Sequence, residues 1–268
     1  MKEYIINPSA LSYLCEHCAY LEQNYGLRSY SISPGITQTL DSIEKQYFLG
    51  DCKKINPDFP DGETIDPYNQ TFFSKTLKDN KGRSFRIKGK GDAIIKFNDG
   101  TSGIIDYKTS KFKKNKKSDS FKEQDLQKKI DEYNPQLHAY YLLYSNLETD
   151  ENFLREKYIE RWRSTKEETI IKGVKKTIDK INEIKINKAK LFGLVFIYPE
   201  DHNFTNNIQV NFSFQYCDVA INIENFMDNI TKYLDILYSD NPPPPNEYCS
   251  NCKGMHEFFY DENKLKNC

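Results

Sequence analysis

Residues 92–109 constrain the fold of this chain more than any other stretch. "DAIIKF" (92–97) and "GIIDYKT" (103–109) are apolar runs rich in β-branched residues, and Asn98-Asp99-Gly100-Thr101 between them is a tight-turn sequence. An antiparallel hairpin about that turn puts Asp92 opposite Asp106 or its immediate neighbour. Carboxylates facing each other across a strand pair lie about 5 Å apart at Cβ and repel. A divalent cation held between them removes the repulsion, and oxygen donors of this kind suit Mg²⁺ or Mn²⁺. Lys108, two residues beyond Asp106, projects on the same face. There it can neutralise developing charge or help activate a water. The plainer alternative is a strand end running into solvent, with Asp106–Lys108 a surface ion pair and Asp92 a turn cap.

Around this hairpin the chain alternates strand and helix patterns. A strand is expected at about 84–88, and further strands at 191–199 and 207–217. Residues 9–25 read as a helix from an N-cap at Ser9 to a stop at Gly26, and 35–49 as a second helix. A polar, Pro-containing connection (51–69) and a Lys-rich loop (110–120) carry no periodic pattern. Helices follow over 121–132 and 135–147, the second opened by Asn134-Pro135 with proline at its first position. On it Gln136 and Tyr140 are four apart and share a face, while Leu137, Tyr141 and Tyr144 form a neighbouring stripe suited to the core. The mixed charges of 151–187 suggest one or two exposed helices, and 222–239 a last one. "NPPPPN" (241–246) is a stiff spacer before the tail. The class is therefore α/β, a central mixed sheet flanked by helices, and 268 residues suit one domain.

Charge excludes a globally basic nucleic-acid binder, since 38 Lys and Arg face 39 Asp and Glu. Two local clusters stand out: Lys75, Lys78, Lys81, Arg83, Arg86, Lys88 and Lys90, then Lys111, Lys113, Lys114, Lys116 and Lys117. Both flank the hairpin and are expected to hold a phosphate backbone in a salt-dependent way. "MKEYIINPSALSYLCEHC" lacks a basic segment followed by a long apolar run, and no window reaches membrane-span length. A cytoplasmic, reducing setting is expected, with cysteines as thiols or metal ligands. "CEHC" (15–18) and "CSNC" (249–252) then offer Cys15, Cys18, Cys249 and Cys252 as a four-thiolate site for Zn²⁺ or an iron–sulfur cluster. Such a site would clamp the two ends of the chain together. Cys52 and Cys217 show no partner pattern.

"GKGD" (89–92), "IIDYKTS" (104–110) and "QLHAY" (136–140) together resemble the PD-(D/E)XK nuclease superfamily, and most closely its RecB-like branch with G-x-x-D, D/E-x-K and Q-x-x-x-Y motifs in this order. The resemblance implies a restriction-endonuclease-like domain over 1–268, with a catalytic core at about 84–147 and Cys-bearing ends at 9–25 and 246–268. It implies that Asp92 and Asp106 bind Mg²⁺ or Mn²⁺, helped by a backbone carbonyl near Tyr107. Lys108 would assist water activation, and Gln136 and Tyr140 would orient the site and contact substrate. The implied activity is a metal-dependent deoxyribonuclease in repair, recombination or CRISPR-type DNA processing, acting on single- or double-stranded DNA. No G-x-x-x-x-G-K-[ST] motif is present, so any unwinding would come from a helicase partner.

Two departures from the family pattern are visible. Many RecB-like nucleases carry a metal-binding His in a helix ahead of these motifs, but "GITQTLDSIEKQYF" (35–48) has none, leaving Glu44 as a substitute. CRISPR-adaptation-type and AddB-type members join their termini with a 4Fe–4S cluster on one N-terminal and three C-terminal cysteines. Here the arrangement is two and two, with Cys268 a distant alternative; a 4Fe–4S cluster is the first expectation and Zn²⁺ the alternative. Two other functional classes remain open: a weakly active or inactive nuclease-fold subunit that binds nucleic acid or scaffolds a complex, and a zinc-clamped interaction module.

Overall fold

The structure, a computed structural model, describes residues 2–13, 15–27, 35–67, 70–109, 123–163, 166–204 and 208–252. The second basic cluster (Lys111, Lys113, Lys114, Lys116, Lys117) and Cys268 lie outside the described residues. In chain order the elements are β1 (Tyr4–Ile6), α1 (Ala10–Tyr13), α2 (Glu16–Tyr25), α3 (Gly35–Phe48), β2 (Gly50–Asp51) and, after a 3₁₀ turn (Cys52–Lys54), β3 (Gly62–Ile65). Next come β4 (Phe72–Phe73), β5 (Leu77–Lys78), β6 (Ser84–Gly89), β7 (Ala93–Phe97), β8 (Ser102–Thr109) and α4 (Glu123–Ser145). They are followed by α5 (Glu151–Trp162), α6 (Glu167–Ile184), β9 (Ala189–Phe204), β10 (Ile208–Val219) and α7 (Ile223–Leu237).

A six-stranded mixed sheet runs β10-β9-β8-β7-β3-β2, with β8 and β9 parallel and the other neighbours antiparallel. The parallel pair needs a long crossover, and α4, α5 and α6 supply it. A smaller sheet joins β1, β4 and β5 to β6. Strand β8 is buried from Ser102 to Tyr107 because it is central and covered on both faces. Alternation divides its side chains. Ile104 packs with Ile94, Leu137, Leu143 and Phe192 on the α4 side. Ile105 and Tyr107 pack with Ile95, Phe59 and Phe48 on the α3 side. By the same parity Asp106 must face α4.

The hairpin register matches the expectation. Ala93 pairs with Ile105 and Lys96 with Ser102, so the next position along sets Asp92 against Asp106. Gly100 takes φ 81° in the turn, a conformation only glycine adopts without strain, and Asp99 Oδ1 accepts from the Thr101 N–H at 2.9 Å.

Elsewhere the structure corrects the sequence reading. The expected helix over 9–25 is two helices, because Cys15 is extended (φ −72°, ψ 162°) and stands as the N-cap position of α2. Gly26 does end α2, in the left-handed conformation (φ 69°). The helices expected at 121–132 and 135–147 are one, α4, with Pro135 in its interior rather than at its start. A proline there removes a single backbone hydrogen bond and tends to bend the helix. Tertiary burial of Leu137, Leu143 and Tyr144 outweighs that cost. The connection over 51–69 contains part of β2, the 3₁₀ turn and β3.

Three members of the first basic cluster form ion pairs within the fold. Arg83 meets Asp79 at 2.6 Å and Asp235 at 2.8 Å, and Lys81 meets Asp235 at 2.7 Å, tying the β5–β6 turn to α7. Arg86 holds Glu148 at 2.6 Å and Glu3 at 3.0 Å. These three cations therefore already have carboxylate partners within the fold.

Candidate active site

The ends of β7 and β8 bring the predicted residues together. Asp106 is 1% exposed, and its Oδ1 accepts from Gln136 Nε2 at 3.2 Å. Its Oδ2 lies 2.6 Å from Lys108 Nζ, yet makes no hydrogen bond of regular geometry. Gln136 also accepts from Lys108 Nζ at 3.2 Å and donates to the Tyr140 hydroxyl at 3.0 Å. One residue of α4 thus touches three of the others, which follows from the i, i+4 spacing and from the face Asp106 presents. Asp92 Oδ2 accepts the Tyr107 N–H at 3.0 Å, locking the first carboxylate to the backbone beside the second.

Three contributors were not assigned a role from sequence, or only loosely. Lys45, on α3, places Nζ 3.0 Å from Asp92 Oδ1 and 3.1 Å from Asp41 Oδ2. Glu44, the expected substitute for the family histidine, is buried and accepts from the Thr109 hydroxyl at 3.3 Å. Tyr144, read as core, is fully buried, and its hydroxyl accepts the Gly91 N–H at 2.6 Å, fixing the turn that delivers Asp92. A Cβ on Gly91 would come within 3.2 Å of that hydroxyl, and one on Gly89 within 2.9 Å of Pro8. The two glycines of "GKGD" are therefore places of close approach. His138 points away from the site: its Nδ1 meets the Asn134 carbonyl and its Nε2 accepts from the Asn222 N–H.

The electrostatics follow from this packing. Burial pushes the Asp106 carboxyl up, Lys108 opposes it and Asp92 adds to it, leaving it at about 7. Burial also penalises ionised Asp92, but Lys45, Asp106 as a hydrogen-bond donor and Lys108 outweigh it, so Asp92 falls below the usual carboxylate range. Lys108 and Lys45 both stay charged: burial works against them, and the carboxylates more than compensate. Burial raises Glu44 as well, partly offset by Thr109. The pair of aspartates thus shares one comfortable negative charge, and the second needs another cation. The donor set fits that requirement. Two facing carboxylates, one with an oxygen lacking a regular hydrogen bond, are hard oxygen ligands of the kind Mg²⁺ and Mn²⁺ prefer.

The second cluster joins the two ends of the chain. Tyr4 donates to the Leu237 carbonyl at 2.6 Å, His17 Nδ1 to that of Pro243 at 2.6 Å, and Tyr20 to that of Ser239 at 3.3 Å. These bonds bring Cys15 and Cys18 against Cys249 and Cys252. The four Sγ atoms lie within 4.8 Å of one another, with Cys15–Cys252 at 3.3 Å and Cys18–Cys252 at 3.4 Å. Among the described residues this is the group of His, Cys, Asp or Glu that gathers three or more donors at metal-binding spacing. Burial resists the Cys249 thiolate, but N–H groups of Cys252 and Asn251 and the neighbouring thiols bring its pKa down to about 7, while burial lifts Cys252 to about 11. Cys52 and Cys217 are buried elsewhere as free thiols.

A family model described as the PD-(D/E)XK nuclease superfamily matches residues 56–253, most of the 268. No curated protein matches the chain. Among solved structures, the crystal structure of SSO0001 is similar at 16% identity and TM-score 0.44, covering 93% of this chain and 84% of that one. A likeness that distant carries no argument. Among the described residues, no helix is long and apolar enough to cross a membrane.

Proposed function

The chain belongs to the PD-(D/E)XK nuclease superfamily, and we propose that it is a metal-dependent deoxyribonuclease whose hydrolytic centre is Asp92, Asp106, Lys108, Gln136 and Tyr140. The observation that carries the reading is the meeting of two carboxylates, an ammonium and the Gln136 amide at one end of a buried strand pair. Burying a carboxylate such as Asp106 without gain would be costly, and a chain that needed only a core would place an apolar residue there. DNA as substrate, service in repair, recombination or CRISPR-type processing, a helicase partner and the organisation of 1–268 as one nuclease domain all belong to this proposal.

Mg²⁺ or Mn²⁺ between Asp92 and Asp106 would supply Lewis-acid polarisation of a phosphate oxygen and a more acidic water. The protein's own part is positional. The Tyr107 N–H and Tyr144, through Gly91, hold Asp92 in place. Gln136 fixes both Asp106 and the Lys108 ammonium, so that Lys108 orients a water or offsets charge that develops on the phosphate. Tyr140 stays protonated, because burial and the neighbouring Asp106 raise its pKa well above the ordinary value, so it serves as a hydrogen-bonding group.

For the thiol cluster, the sulfur spacing supports a single tetrahedral ion. Four thiolates at about 2.3 Å from one Zn²⁺ are about 3.8 Å apart, close to the separations here. A 4Fe–4S cluster binds each thiolate to a different iron and so spreads them further. We therefore place Zn²⁺ ahead of the cluster, as a structural clamp on α2 and the C-terminal segment.

A second reading, binding without hydrolysis, draws on Lys45. Its ammonium already neutralises Asp92, and α3 has no histidine in its place. One assay separates the two: end-labelled and circular DNA incubated with Mg²⁺, Mn²⁺ or chelator. Metal-dependent hydrolysis supports the enzyme. DNA retention without hydrolysis in either metal supports the binding subunit.

A further inference from the structure

Trp162 is the chain's only tryptophan, and it stands 60% exposed at the C-terminal end of α5. A ring of that size is usually well covered. It borders a cleft of about 670 Å³ between the α5–α6 hairpin and strands β4 and β6. Among the described residues, Lys88, Lys157, Arg161 and Lys176 line the cleft against a single carboxylate, Glu160, which pairs with Lys157 at 2.8 Å. Cation and ring are interleaved: the Arg161 guanidinium lies 5.1 Å from the Trp162 ring, and Lys88 Nζ 5.4 Å from that of Phe73. Tyr158 stands 6.4 Å from Trp162 and closes the back of the cleft against Gly173. Only glycine fits there, since a Cβ would meet the Tyr158 ring at 2.1 Å.

Exposed aromatic faces set among cations are the chemistry that recognises unpaired bases and their phosphates. A paired base keeps its faces inside the duplex and cannot offer them to Trp162. We propose that this cleft binds single-stranded DNA, with a base on Trp162 and flanking phosphates on Arg161, Lys176 and Lys88. Lys88 sits on β6 four residues ahead of Asp92, and on the nuclease reading a strand held in the cleft is supplied to the carboxylates. That connection rests on the nuclease reading; the binding itself does not.

The lone tryptophan is the reporter. The full-length protein in chelator, where hydrolysis cannot occur, is titrated with oligothymidylate while Trp162 fluorescence is followed. Quenching that saturates and weakens with added salt is expected. The double variant Arg161→Glu/Lys176→Glu, both exposed positions, should bind a dye-labelled oligothymidylate at least tenfold more weakly with an unchanged melting temperature. Trp162→Ala should weaken it roughly tenfold, the typical loss for one stacked base. No quenching, or equal binding of a blunt duplex of the same length, overturns the proposal. Quenching in a protein that hydrolyses nothing with Mg²⁺ or Mn²⁺ keeps the cleft and discards the nuclease reading. Hydrolysis without quenching does the reverse.

Discussion

Replacing Asp106 with asparagine should make the metal-free protein more stable at pH 8, although it removes a residue of the proposed active site. In the folded chain the Asp106 carboxyl sits at about 7 rather than 3.8, first because of burial. At 1.36 kcal/mol per pKa unit, ionising it in the fold costs at most about 4 kcal/mol. Asparagine avoids that cost; the pull of Lys108 is already counted in the raised pKa, and relaxation and water penetration around the buried carboxylate leave a net gain of roughly 2 kcal/mol. For a chain of this size that corresponds to a rise in melting temperature of about 4–8 °C. The sign with pH follows from a folded pKa above the unfolded one. Asp106 contributes its full stability below about pH 4 and loses it as pH rises through about 7. The advantage of Asp106→Asn should therefore be near zero at pH 4, grow across that window and level off above it. Added Mn²⁺ should then stabilise the wild type and close the gap, while leaving the variant unmoved. Thermal melts in chelator and in Mn²⁺, from pH 4 to 8.5, read all of this. A variant less stable than wild type at pH 8, with no response of the wild type to Mn²⁺, would refute the account of a charge-frustrated carboxylate pair.

Lys108→Met should lower kcat on DNA by about 10²- to 10³-fold while leaving KM near its original value, since a positioned proton or charge partner is worth that much; steady-state kinetics with Mn²⁺ decide it. Cys249→Ser should abolish one bound Zn²⁺ per chain, measured by elemental analysis of the purified protein, and expose the α2 contact to proteolysis. A wild type holding four irons and absorbing in the visible would instead establish the cluster. Arg86→Ala should destabilise by about 3 kcal/mol, because Glu148 would be left buried with its partner gone. Chemical denaturation measures that loss, and a change under 1 kcal/mol would show the pair to be solvated.

The hairpin and its register were legible because two local rules agreed, the period of two and the Asn-Asp-Gly turn, and a one-residue slip would have turned Asp106 away from α4. Gln136 and Tyr140 were legible for a similar reason, since helical spacing fixes their common face. What escaped the sequence was carried by contacts between distant segments. Lys45 reaches Asp92 across 47 positions, and Tyr144 reaches Gly91 across 53; no local pattern marks either. Within the basic run at 75–90, the pairing of Lys81, Arg83 and Arg86 escaped the sequence because Asp235, Glu148 and Glu3 lie far along the chain; Asp79 alone is local. Strands β1, β4 and β5 are two or three residues long, too short to show alternation. Pro135 misled for the opposite reason: its local preference is a helix start, and burial of the surrounding face overrode it.

The central claim is that Asp92, Asp106 and Lys108 hydrolyse DNA with a divalent metal, and cleavage by the wild type against Asp106→Ala tests it most directly. With end-labelled single- and double-stranded DNA in Mg²⁺ or Mn²⁺, the wild type should release product and the variant should lose at least 10²-fold in rate. Equal rates in the two proteins, or no cleavage by either, would contradict it.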